Sequence, residues 1–103
     1  MTSKQRAYLK SLAMTMQPTV QIGKEALTPE VTASIAEALA ARELIKVNVQ
    51  QNCLEDIHQM AQTAAERTRS QVVQVIGRKI VLYREGKDEH RKIELPGAAR
   101  QRR

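Results

Sequence analysis

The chain has no phenylalanine and no tryptophan, and only two tyrosines, Tyr8 and Tyr83, among its 103 residues. A core without large rings has to be aliphatic. The aromatic platforms on which RRM and OB domains stack the bases of single strands have almost nothing to be built from. One cysteine, Cys53, excludes an intramolecular disulfide and any multi-cysteine zinc site. No apolar run approaches the roughly 18–20 residues that span a bilayer. The opening Met1-Thr2-Ser3-Lys4-Gln5-Arg6 leads into mixed polar sequence, not into the apolar stretch of a secretory signal. The apolar share of 42% is that of an ordinary globular protein, which argues against wholesale disorder. The expectation is one small soluble cytoplasmic domain, without membrane partner, small-molecule substrate or cofactor.

What is present in excess is positive charge, +6 in total. Residues 1–27 carry Lys4, Arg6, Lys10 and Lys24 against Glu25. Residues 28–83 balance, and residues 84–103 hold a second basic surplus. The two ends are therefore basic, and the neutral middle reads as scaffold. Basic ends attract polyanions through counterion release, without any sequence readout.

Hydrophobic periodicity gives the order α-β-α-β-α-β-β. Tyr8, Leu9, Leu12, Ala13 and Met16 recur at helical spacing over residues 3–16, with Ser3 as a candidate cap. Pro18 ends that helix, and the short β-prone Thr19-Val20-Gln21-Ile22 closes at Gly23. Thr28 and Pro29 form the clearest helix start in the chain, followed by the stripe Val31, Ile35, Ala38 and Leu39. Ile45, Val47 and Val49 then alternate with Lys46, Asn48 and Gln50, which describes a strand with one apolar and one polar face. Asn52 and Glu55 have the spacing of a capping box, which would start a third helix through Leu54, Ile57, Ala61, Ala64 and Ala65. Val72–Ile76, the turn Gly77-Arg78-Lys79 and Ile80–Tyr83 make a hairpin. Three helices on a four-stranded mixed sheet define an α/β two-layer sandwich spanning residues 1–96, with 97–103 as a disordered basic tail.

Catalytic constellations are poorly supported. His58 lies five residues after Cys53, not the three or four that stack side chains on a helix, and no carboxylate or amide is placed to orient the pair. His90 has no neighbour at metal-ligand spacing. The acidic residues are spread over helix starts and solvated faces, so none is singled out for acid–base work. Met14, Met16 and Met60 read as gap-fillers beside the apolar stripes. The basic pairs Arg67/Arg69 and Arg78/Lys79 flank the hairpin and read as a solvated rim.

One loop stands out. Gly23-Lys24-Glu25-Ala26-Leu27-Thr28 runs from a strand into a helix N-terminus, where amide groups and the helix dipole favour a phosphate and Lys24 adds a full charge. Glu25 at the same tip opposes an anion, as it would in an ordinary strand-to-helix turn.

Several motifs in order resemble the YhbY-like CRM domains, the RNA-splicing and ribosome-maturation modules. They are Val20-Gln21-Ile22-Gly23-Lys24, Ile35-Ala36-Glu37-Ala38-Leu39, Arg42-Glu43-Leu44-Ile45-Lys46-Val47, Val75-Ile76-Gly77-Arg78-Lys79-Ile80-Val81-Leu82-Tyr83-Arg84 and the closing Ile93-Glu94-Leu95-Pro96. The resemblance covers residues 3–96 and is to the bacterial stand-alone members. It implies a fold similar to the C-terminal half of translation initiation factor three. It also implies RNA binding, with association to precursors of the large ribosomal subunit. The family's GxxG loop falls on Gly23, Lys24, Glu25 and Ala26, so alanine stands where the family has its second glycine.

The expected function is a non-catalytic, monomeric RNA-binding assembly factor. Gly23, Lys24 and Thr28 would form a phosphate cradle, flanked by Lys4, Arg6 and Lys10, with Lys46 contributing from the strand. The alternative is a protein–protein adaptor on a ribonucleoprotein assembly, whose charge serves only encounter.

Overall fold

Period-2 and period-3.6 segments alternate along this chain, and the computed structural model shows each folding as its period demands. It describes residues 1–86, 93, 95 and 96. The elements are α1 (Ser3–Ala13), β1 (Val20–Ile22), α2 (Pro29–Arg42), β2 (Leu44–Val49), α3 (Ile57–Thr68), β3 (Gln71–Ile76) and β4 (Lys79–Tyr83). The strands form one mixed sheet in the order β1-β2-β4-β3. β1 runs parallel to β2, with α2 as the crossover, and the other neighbours are antiparallel. The element order and the four-stranded mixed sheet are as the sequence implied.

The layering differs from a two-layer sandwich. Strand alternation sends Ile45, Val47, Val49, Ile80 and Leu82 to one side, where they pack against Ile35 and Leu39 of α2 and the Met60–Ala65 stripe of α3. The same alternation sends Leu44, Val81 and Tyr83 to the other side, where Leu9 and Ala13 of α1 cover them. Helices therefore lie on both faces of the sheet, two on one and one on the other. The physical reason is that β2 and β4 carry apolar residues on both faces at one end, and an apolar face left in water needs a cover.

Helix ends depart from expectation in instructive ways. α1 is capped by Thr2, whose hydroxyl accepts from the Gln5 amide while the Gln5 side chain accepts from the Thr2 amide, a reciprocal box one residue ahead of Ser3. It ends at Ala13 rather than residue 16. α3 is capped by Asp56, not Asn52, with its carboxylate accepting from the amides of His58 and Gln59. Leu54 is consequently outside the helix and 93% exposed. Cys53 lies in the loop before α3 and is buried.

Three further features fix the sheet. Gly77 (φ +58) and Arg78 make a two-residue hairpin loop, and Lys79 belongs to β4. Between Val72 and Gln74 the β3–β4 register slips by one, so Val73 is the extra residue of a bulge. The Arg6 guanidinium donates to the carbonyls of Val72 and Val73 and ties α1 to that bulge. At the end of the sheet away from the Gly77 loop, the fully buried Glu43 accepts the amides of Gly86 (2.6 Å) and Ile93 (2.7 Å). Ile93 and Leu95 pack on the α1-side cluster, and the Gln5 side chain donates to the carbonyl of Pro96. The expected tail, residues 97–103, and His90 lie outside the described residues.

Candidate nucleic-acid interface

The loop after β1 is a tight turn. The Ala26 amide donates to the Gly23 carbonyl at 3.0 Å, which places Lys24 and Glu25 at the exposed tip. Ala26 itself sits at φ +60, in the left-handed region although it is an alanine. That conformation costs an L-residue about 1 kcal/mol. Gly23 carries no such demand: an added Cβ would meet the end of the exposed Gln50 side chain, its Oε1 at 3.1 Å and its Cδ at 3.9 Å. The loop's strain therefore sits at Ala26.

Beyond the turn, the Thr28 hydroxyl accepts the Val31 amide at 3.0 Å. Pro29 has no amide hydrogen, and Thr32 donates to the Thr28 carbonyl. Among the first-turn amides of α2, that of Glu30 has no hydrogen-bond partner among the described residues. On the α3 side a depression of about 360 Å³ is lined by Glu25, Glu55, Asp56 and Arg67. Lys24 is thus the single full positive charge of this loop, with carboxylates close behind it.

The remaining expected contacts fall on the opposite side of the sheet. Lys4 and Lys10 are exposed on α1, whereas Arg6 is half-buried with its guanidinium committed to the bulge. Lys10 and Lys46 meet at a groove of about 470 Å³ between α1 and the sheet, floored by Val81 and edged by Met14, Gln74 and Ile76. α1 covers only the Leu44–Tyr83 end of this face. Farther along, Asn48 pairs with Lys79 across β2 and β4, and its side chain donates to Gln21 of β1 at 2.7 Å. A half-covered sheet face with Lys46 and Lys79 thus continues the basic side of α1.

Charge is sorted between the two sides. Neither α1 nor any strand contains an aspartate or glutamate. Apart from Glu85, every carboxylate among the described residues lies in α2, α3 or the loops that enter and leave them. The formally neutral middle of the chain is therefore not neutral in space: its acids ride on the helices, while Lys46 and Lys79 ride on the strands.

Sequence reasoning missed Lys79 as part of the half-covered face. Its place is readable only once β4 is paired beside β2 with Asn48 opposite Lys79. Arg67 and Arg69 precede β3 while Arg78 and Lys79 follow it, so the hairpin holds these pairs at opposite ends. Arg78 donates to the carbonyls of Val49, Gln50 and Cys53, and Arg84 to those of Ala36 and Thr68. Both act as internal fasteners.

A small mixed sheet with helices on both faces, a tight Gly-Lys turn entering a helix and lysines on an α1 and strands that hold no carboxylate define a compact α/β domain of basic character. The CRS1 / YhbY (CRM) domain matches residues 1–84, and the chain belongs to that family. It is 49% identical over 96 residues to the "Probable RNA-binding protein YqeI" of Bacillus subtilis (strain 168), covering 93% of this chain and 99% of that one. It is 38% identical to an "RNA-binding protein" of Haemophilus influenzae, covering 93% and 95%. Among solved structures, that of the hypothetical protein SAV1595 from Staphylococcus aureus superposes with a TM-score of 0.79 at 48% identity, covering 93% of this chain and 99% of that one.

Proposed function

We propose that this protein is a non-catalytic RNA-binding factor that acts in the cytoplasm as a monomer on ribosomal RNA in precursors of the large ribosomal subunit. The observation that carries the reading is the sorting of charge. α1 and the sheet present Lys4, Lys10, Lys46 and Lys79 with no carboxylate among them, and Lys24 stands at the tip of the β1–α2 turn. Such a surface neutralises phosphates and releases counterions. With only two tyrosines it recognises shape and backbone rather than stacked bases. The names of the relatives from Bacillus and Haemophilus support RNA as the partner.

In this reading the loop contact is made by Lys24 and the Glu30 amide, which has no partner among the described residues. Gly23 and Thr28 shape the turn and cap the helix behind them, and Arg6 positions α1 by holding the bulge. The test is binding to fragments of large-subunit RNA across a salt series, together with sedimentation of the protein with large-subunit precursors. The expected result is log-linear weakening with salt and co-sedimentation that RNase abolishes. Retention on the particle after RNase treatment, with no affinity for naked RNA, would replace this reading with the protein–protein adaptor.

A further inference from the structure

The groove between α1 and the sheet has features that backbone binding alone does not use. Its floor and walls are aliphatic: Val81 is buried beneath it, and Ile76 and Met14 stand at its edge 57% and 79% exposed. Its two charged members, Lys10 and Lys46, come from different elements, one from α1 and one from β2. Gln74, on β3, adds an amide with both donor and acceptor capacity.

We propose that this groove holds one unpaired nucleotide of the bound RNA, its base against Val81, Ile76 and Met14 and its two flanking phosphates on Lys10 and Lys46. The inference rests on the RNA-binding reading and adds a subsite to it. Three observations select this occupant. The volume of about 470 Å³ lies within the range of small-ligand sites. A nucleotide within a strand carries a phosphate on either side, matching two lysines on separate elements. Finally, no carboxylate of α1 or of any strand is present to repel it. An aliphatic pocket with a polarisable thioether accepts a base face where no aromatic ring is available. Gln74 can hydrogen-bond a base edge.

The test compares two RNA hairpins of equal length, one fully paired and one with a single 2-aminopurine bulge, binding to the full chain. The bulged hairpin is expected to bind about tenfold more tightly, with a change in probe fluorescence. The uncharged variants Met14→Ser and Ile76→Ser change exposed side chains, so the fold tolerates them. Each is expected to remove most of that preference while leaving affinity for the paired hairpin and its salt slope unchanged. Equal binding of both hairpins by the unmodified protein, or a preference that survives both substitutions, would overturn the subsite and leave the RNA-binding reading standing. Failure to bind either hairpin or large-subunit RNA would overturn that broader reading. Displacement of the bulged hairpin from the groove by an acidic peptide at equal concentration would assign the groove to a protein partner instead.

Discussion

Arg6 donates to the carbonyl of Val73 at 3.1 Å, although 67 residues separate the two in sequence. The contact joins the first helix to the bulge of an edge strand. It also turns a residue that reads as a solvent-facing cation into part of the packing. Val73 is itself buried under Leu9 and Ala13, so the bulge is held from both its side chain and its backbone.

Replacing Arg6 should therefore cost stability before it costs RNA affinity. Arg6→Ala is expected to lower unfolding free energy by about 2 kcal/mol, the range for charge-assisted bonds to half-buried carbonyls. Urea denaturation measures this. A loss below 0.5 kcal/mol, with a large loss of RNA affinity, would return Arg6 to the binding surface.

At Ala26 the expected effect has the opposite sign. Glycine adopts φ near +60 without the Cβ penalty, and this exceeds the extra entropy it loses on folding. Ala26→Gly should stabilise the protein by up to about 1 kcal/mol, a rise in Tm of roughly 4–8 °C for a domain of this size. Calorimetry gives the answer directly.

The two candidate caps of α3 separate just as cleanly. Asp56→Ala removes the acceptor for two first-turn amides and should cost about 1 kcal/mol. Asn52→Ala changes an exposed loop residue and should stay within about 0.5 kcal/mol. Equal losses at both positions would mean the helix starts where the sequence first suggests.

Truncation distinguishes the two halves of the C-terminal region. Ending the chain after Pro96 keeps the Glu43 contacts to Gly86 and Ile93 and should leave the unfolding midpoint unchanged while weakening RNA binding. Ending it after Gly86 strips the buried Glu43 carboxylate of the Ile93 amide and uncovers the α1-side cluster. That should cost about 3 kcal/mol or more.

The lysines should report through salt. Lys24→Glu, Lys10→Gln and Lys46→Gln are each expected to weaken RNA binding and to flatten the slope of log affinity against log salt by about one, with Tm unaffected. An unchanged slope for Lys24→Glu would make its loop a turn and nothing more.

These positions also mark where the sequence was legible. The strands and the hairpin could be read because period-2 alternation at Ile45–Gln50 and the glycine at residue 77 leave few alternatives. The start of α3 could not, since Asn52 and Glu55 have capping-box spacing and Leu54 extends the apolar stripe. The structure instead places Leu54 in solvent and begins the stripe at Ile57. The loop with Lys24 was visible as a motif. The meeting of Lys10 with Lys46 was not, because it depends on α1 crossing to the other face of the sheet. Local periodicity contains no signal for that choice. Glu43, Arg78 and Arg84 were equally hidden: a charged side chain reads as solvated until its backbone partners, far away in sequence, are known.

The separation of charge has a consequence for how the molecule meets its target. Among the described residues, α1 and the strands carry lysines and no carboxylate, whereas the exposed carboxylates of α2, α3 and their loops outnumber Lys24, Arg42, Arg67 and Arg69 there, so these charges set up a dipole across the sheet. The field of a polyanion exerts a torque on that dipole before any contact forms. The protein should arrive already turned, lysines first, which raises the fraction of productive encounters at low ionic strength. Glu37 and Glu66, on α2 and α3, repel a polyanion that approaches from that side. The carboxylates of α2 and α3 thus act on orientation at a distance, and the lysines on contact.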